Sequence, residues 1–189
     1  MIERRTKYFE KPGKQNTDAL LKIAKKYAES TGVKDIVVAS TTGETGAAAS
    51  KLFKGYNLVV VTHSTGFSEP GAQELKRENR KQILKNGAKL FTGTHALSSV
   101  ERAIRKVFNT VEPLDLIANT LRLMGEGTKV CVEITLMAAD AGLVPVSKDI
   151  IAIAGTGHGA DTALLIKPAN TGRFFDLAIR EIIAKPRDF

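Results

Sequence analysis

The sequence predicts an α/β domain in which helices cover both faces of a mostly parallel sheet. Strand-like runs alternate with segments of helical period, the rhythm of parallel strands joined by crossover helices. The first two runs, DIVVA (35–39) and NLVVVTH (57–63), are apolar almost without interruption, as strands buried on both faces must be. The last two strands, 149–155 and 162–168, are too close in the chain for the crossover of about a dozen residues that a parallel pair requires. That pair is therefore expected to be antiparallel.

Residues 1–15 read as an N-terminal arm and 16–189 as a single domain. Asn16, Thr17 and Asp18 are expected to cap a helix that runs to Ser30, because their side chains accept from the free N–H groups of a first turn. Ala19, Leu20, Ile23, Ala24, Tyr27 and Ala28 recur at helical spacing on its buried face. Gly32 ends it. A helix to Lys54 follows the first strand. Loop 64–71 and a helix to Lys85 follow the second. AKLFTGT (88–94) holds a third strand. Ser98 and Glu101 have the spacing of a capping box for a short helix. VEPLDLIANTLRLMG and TKVCVEITLMAADAG are two more helices, the second so apolar that it is expected to be central. The tail is expected to add a helical turn and an edge strand ending at Pro186. Right-handed crossovers follow for the parallel strands.

Charge narrows the partners. With 28 Lys and Arg against 20 Asp and Glu the net charge is +8, which favours anionic ligands. The basic stretch at 74–85 has no aromatic residue on which bases could stack, so nucleic acid is the minor reading. No apolar run is long enough to span a bilayer, no hydrophobic leader is visible, and one cysteine allows no intrachain disulfide; a cytoplasmic protein without membrane contact is expected. That cysteine, Cys131, reads as a packed core thiol, since no His or Asn partner stands near it in the sequence.

Polar residues gather in the turns after the parallel strands. These are STTGETG (40–46), THSTGF (62–67), TGTH (92–95) and GTGHGAD (155–161), and they contain all three histidines. In an open parallel sheet such turns share the carboxyl edge, where ligands bind. STTGETG opens a helix, whose unpaired N–H groups and partial positive charge suit a phosphate. Thr42 merely capping that helix is an equal reading. GTGHGAD opens a strand rather than a helix, so it is no dinucleotide fingerprint; it is either a hairpin that a flat ligand can approach or a purely structural turn. His63, His95 and His158 lack the spacing of a metal motif, and no metal is expected. Glu133 and Asp140 lie seven apart on the apolar helix, and read as a thin solvent stripe more readily than as an acid–base pair.

DIVVASTTGETGAAASKL and LVVVTH, with Asn16 and Thr17 and the helix they open, resemble the C-terminal domain of pyruvate kinase. In that domain the first strand leads to a turn of the form Ser/Thr-x-Ser/Thr-Gly-x-Ser/Thr, which in allosteric members holds a phosphate of a sugar-phosphate effector. Ser40, Thr42, Gly43 and Thr45 match it; Glu44 stands where Arg is common and argues against a sugar bisphosphate. CVEITLMAADAG, AGTGHGADTALLIKPA and EIIAKPR resemble the stand-alone family of the same fold along nearly the whole chain. The resemblance implies a three-layer α/β/α domain with a mixed five-stranded sheet of order 3-2-1-4-5, the fifth strand antiparallel. It also implies bound FMN and no settled reaction. It does not imply pyruvate kinase activity, which resides in a (β/α)₈ barrel of about 250 residues.

The expectation is thus a cytoplasmic FMN-binding domain, and, if an enzyme, a flavin-dependent oxidoreductase. Ser40, Thr41, Thr42, Gly43 and Thr45 would hold the phosphate. The ring system would lie along His63, Phe67, Gly155, Thr156, Gly157, His158, Gly159 and Asp161. Phe67 is either a cover on that ring or ordinary core. The alternative is a non-catalytic regulatory module for a phosphometabolite. A homo-oligomer fits either reading.

Overall fold

The computed structural model describes residues 1–189. Strands β1 (Lys7–Phe9), β2 (Asp35–Ala39), β3 (Asn57–Thr62), β4 (Lys89–Thr92), β5 (Ile150–Ala154), β6 (Thr162–Lys167) and β7 (Ala178–Pro186) form one sheet in the order β1-β7-β6-β5-β2-β3-β4. The five expected strands are β2 to β6. They stand in the expected order, with β5 and β6 antiparallel and β2, β3, β4 and β5 parallel. The sheet has seven strands rather than five. β7 is the edge strand expected of the tail, but it is not the edge: β1, from within the arm, lies parallel to its far end with Lys7 opposite Ala184.

Alternation along the inner strands builds two cores. Ile36 and Val38 of β2, Leu58 and Val60 of β3, and Ile151 and Ile153 of β5 face one side. They pack there with helices α1 (Thr17–Thr31), α2 (Glu44–Leu52) and α3 (Arg77–Lys85). Val37, Val59, Val61 and Ile150 face the other side, with Ala152 and Ala154 beside them. That side is covered by α6 (Glu126–Asp140), the central apolar helix, which carries α5 (Pro113–Arg122) on its outer flank. Each fully buried Val, Leu or Ile contributes about 1.5–3 kcal/mol relative to exposure, so continuous apolar strands are what two covered faces select.

Helix ends depart from expectation in two places. Asn16 precedes α1, but its side chain donates to Lys11 O rather than capping. Ser98 precedes α4 (Ser99–Phe108) without a side-chain cap. Glu101 instead accepts the Leu114 N–H at 2.8 Å and ties α4 to α5, so the expected capping box is absent. Gly32 does end α1, in the left-handed conformation.

Candidate functional site

Because β2, β3, β4 and β5 are parallel, the turns after them open at one end of the sheet, and strand order reverses between β2 and β5. A cavity of about 1060 Å³ lies there, walled by all four turns and floored by α6. It exceeds the ~300–1,000 Å³ usual for ligand pockets only slightly.

The turn from β2 to α2 is held from behind. Ser40 is buried, and its Oγ accepts the Gly46 N–H at 2.9 Å, closing the turn onto the helix. Lys76 N and Asn79 Nδ2 both donate to Thr42 O from the α3 side. Gly43 has φ +88°, and a Cβ there would meet Asn79 Cβ and Leu75 Cδ1 at 2.6 Å. Gly43 is therefore required by the backbone and by its packing against Leu75 and Asn79. The N–H groups of residues 41–43 find no acceptor in the chain, and the first N–H groups of a helix have none by construction. Capping falls to Ser40, so Thr42 is not the cap. No buried polar side-chain atom lacks a partner, and Thr42 and Thr45 line the cavity. Glu44, at the rim, is ion-paired to Lys14 (2.9 Å) and Lys76 (3.1 Å), whose hydrogen bonds and charges hold its carboxyl below the usual range.

At the end of β3, His63 Nδ1 lies 2.8 Å from Glu74 Oε2 and its Nε2 lies 3.2 Å from Thr41 Oγ1. The Phe67 ring sits on His63 with centroids 4.0 Å apart and is stacked on His95 at 5.0 Å. The Arg102 guanidinium lies 4.3 Å from the centre of the Phe67 ring, a cation–π contact. Phe67 thus belongs to the cavity wall and to neither core.

The hairpin after β5 divides. Gly155, Gly157, His158 and Gly159 line the cavity. Gly159 is pressed so closely against the start of α1 that a Cβ would stand 2.6 Å from Lys14 Cα. Asp161 faces inward instead, and Thr156 is half-buried beside it. Asp161 is fully buried and accepts from Gly13 N–H, Thr156 N–H and the Thr162 hydroxyl. Asp161 pins the hairpin to the segment before α1 through Gly13, and neither residue lines the cavity.

The second carboxylate centre departs from the sequence expectation. Glu133 is not on a solvent stripe: it is buried, accepting the Leu97 N–H at 3.1 Å and Lys129 Nζ at 2.6 Å. His95 Nδ1 lies 3.5 Å away, and the Ser64 N–H donates to His95 Nε2, which leaves the imidazole hydrogen on Nδ1, towards Glu133. Burial pushes the Glu133 pKa up, but the His95 and Lys129 partners outweigh it and hold it at about 2. The hint in the sequence was Lys129, four residues before Glu133 in an otherwise apolar helix. Asp140, at the far end of α6, accepts from Thr171 and Asn170 outside the cavity. Cys131 is a core thiol: burial, and then the Asp161 charge, push it well up, and its Sγ donates to Ala152 O. Arg102, Val130, Ile134 and Met137 also line the cavity, and nothing local in the sequence marks them.

A family model for the pyruvate kinase alpha/beta domain matches residues 18–166. Among solved structures, Cryptosporidium parvum pyruvate kinase in complex with ADP is 17% identical with a TM-score of 0.38, covering 79% of this chain and 22% of that one. Another Cryptosporidium parvum pyruvate kinase structure is 18% identical with a TM-score of 0.36, covering 76% and 21%. The chain thus spans little more than a fifth of the length of these pyruvate kinases.

Proposed function

The chain belongs to the pyruvate kinase alpha/beta domain family, and from that premise we propose that it binds a phosphate-bearing cofactor with a flat ring, FMN, at the carboxyl edge of its sheet. The observation that carries the reading is the turn of residues 41–43, whose N–H groups have no partner in the chain, opening into a large cavity with an aromatic wall. Unpaired N–H groups at a helix start attract an anion. The one acidic side chain at that turn, Glu44, is already neutralised by Lys14 and Lys76. Thr42 and Thr45 add hydroxyl donors.

The remaining walls suit a ring system. Phe67 with His63 and His95 offers aromatic faces, and Val130, Ile134 and Met137 offer an apolar floor that excludes water. Bound FMN would supply electron-transfer chemistry belonging to the cofactor. The chain's own part is to hold the phosphate, exclude water, and keep the His95 hydrogen on Nδ1.

Titration of the purified apo-protein with FMN, riboflavin and sugar phosphates tests this. FMN should bind more tightly than riboflavin by tenfold or more, taking ~1.5–3 kcal/mol for a hydrogen bond to a charged group. Equal affinity for the two flavins would place the phosphate elsewhere. A colourless protein stabilised only by sugar phosphates would replace this reading with a regulatory module.

A further inference from the structure

His63 stands between a hydroxyl and a carboxylate. Its Nε2 is 3.2 Å from Thr41 Oγ1, and its Nδ1 is 2.8 Å from Glu74 Oε2. Hydroxyl, imidazole, carboxylate is the order of an activated nucleophile, in which the carboxylate fixes the ring and the ring removes the hydroxyl proton. Thr41 and His63 both line the cavity. Thr41 also sits on a strand-to-helix turn above a parallel sheet, a position that presents a nucleophile to an open site. The next two N–H groups, of Thr42 and Gly43, have no acceptor in the chain; donors beside a nucleophile are what a developing oxyanion requires. His95 makes the contrast: Ser64 N–H takes up its Nε2, and no hydroxyl is bound there.

We propose that Thr41, His63 and Glu74 form an acyl-transfer site for carboxylic esters or thioesters. Thr41 Oγ forms a bond to the acyl carbon as its proton passes to His63 Nε2. The carbonyl electron pair moves to oxygen, which accepts from the N–H groups after Thr41. Collapse breaks the bond to the leaving alkoxide or thiolate, which takes the proton from His63. Water then attacks the acyl-threonine, giving one proton to His63. The carboxylic acid leaves, and Thr41 Oγ regains that proton. Glu74 touches only His63 and is a positioning residue.

This inference does not depend on FMN, although both use the same N–H groups. The full chain is treated with p-nitrophenyl acetate, p-nitrophenolate release is timed, and acetyl groups are mapped by mass spectrometry. The acetyl group should appear on the peptide bearing Thr41, persist in Thr41→Ser and vanish in Thr41→Val. His63→Ala should slow acylation by ~100-fold or more. Glu74→Gln should slow it by roughly tenfold or more at saturating ester, with the half-saturating ester concentration unchanged. Acetyl groups confined to lysines, or parent-rate acylation of Thr41 in His63→Ala, would overturn the proposal. FMN binding by a protein whose Thr41 is never acylated defeats this inference alone. Thr41 acylation that saturating FMN and inorganic phosphate leave unslowed defeats the cofactor reading alone.

Discussion

His63 with Glu74 and His95 with Glu133 are the same residue types in rings 5.4 Å apart, yet their surroundings differ. The side chains of the first pair are 29% and 30% exposed, those of the second 12% and 4%. Glu74 meets one partner at 2.8 Å. Glu133 meets a lysine, a backbone N–H and a histidine, gathered from α6, the turn after β4 and the approach to α4. A carboxylate with that many partners braces elements together. A carboxylate with one partner orients a ring whose other nitrogen meets a hydroxyl and can still react. Location on one cavity wall does not decide between structural and chemical duty; the number of elements joined does.

The largest effect should come from breaking the buried member. Glu133→Ala leaves Lys129 as an uncompensated buried charge, which costs about 3–5 kcal/mol and would show in the urea midpoint. A loss under 1 kcal/mol would mean that Lys129 escapes to solvent and that the brace is illusory.

The same pair predicts an acid limb. Glu133 has a folded-state pKa of about 2, below its ordinary value of 4.5. Its contribution is therefore fully present above pH 4.5 and is lost as pH falls towards 2, about 3 kcal/mol in all. Urea unfolding measured across that window should show the loss in the parent. Glu133→Gln, less stable than the parent above pH 4.5, should lack that component of the slope and approach the parent as pH falls towards 2.

On the open side, substitutions should act on ligand rather than on folding. Thr42→Val and Thr45→Val should each weaken FMN by ~1.5–3 kcal/mol, a factor of roughly ten to a hundred and fifty. Because Ser40 supplies the cap, unfolding midpoints should barely move. Calorimetric titration of each variant with FMN and with riboflavin checks this, and parallel losses for both flavins would make the turn structural. The smallest effect is on stability in Glu74→Ala. Its pair is half-open, so ~0–1 kcal/mol is expected; a loss rivalling that of Glu133→Ala would erase the distinction between the two pairs.

The inner fold was readable because packing leaves a simple trace. Ile36, Val37 and Val38, or Val59, Val60 and Val61, are apolar in succession because both faces are covered. The short link between β5 and β6 forced their antiparallel pairing. Strand order came from the family likeness, since no local pattern encodes it. β1 was missed because three largely exposed residues carry no period. Glu133 was missed for a different reason: position on a helix says which way a residue points, not that Leu97 N–H and His95 arrive from another part of the chain. Thr41, His63 and Phe67 were named from sequence as ligand contacts, but Glu74, eleven residues beyond His63 in an irregular stretch, gave no sign of its partner. Thr156 and Asp161 look like site residues in sequence because tight turns and ligand turns draw on the same residue types.

Two segments far apart in the sequence, β1 and β7, meet in the sheet. Lys7 pairs with Ala184, and the Thr6 hydroxyl donates to Ile182 O across 176 residues. During synthesis β1 is made well before β7 and has nothing to pair with until β7 follows. Closing so long a loop costs entropy that a three-residue strand repays only after its partner is in place. β1 is therefore expected to join the sheet only after β7 has paired with β6. Until β7 pairs with β6, that edge of the sheet is open to strands from other chains.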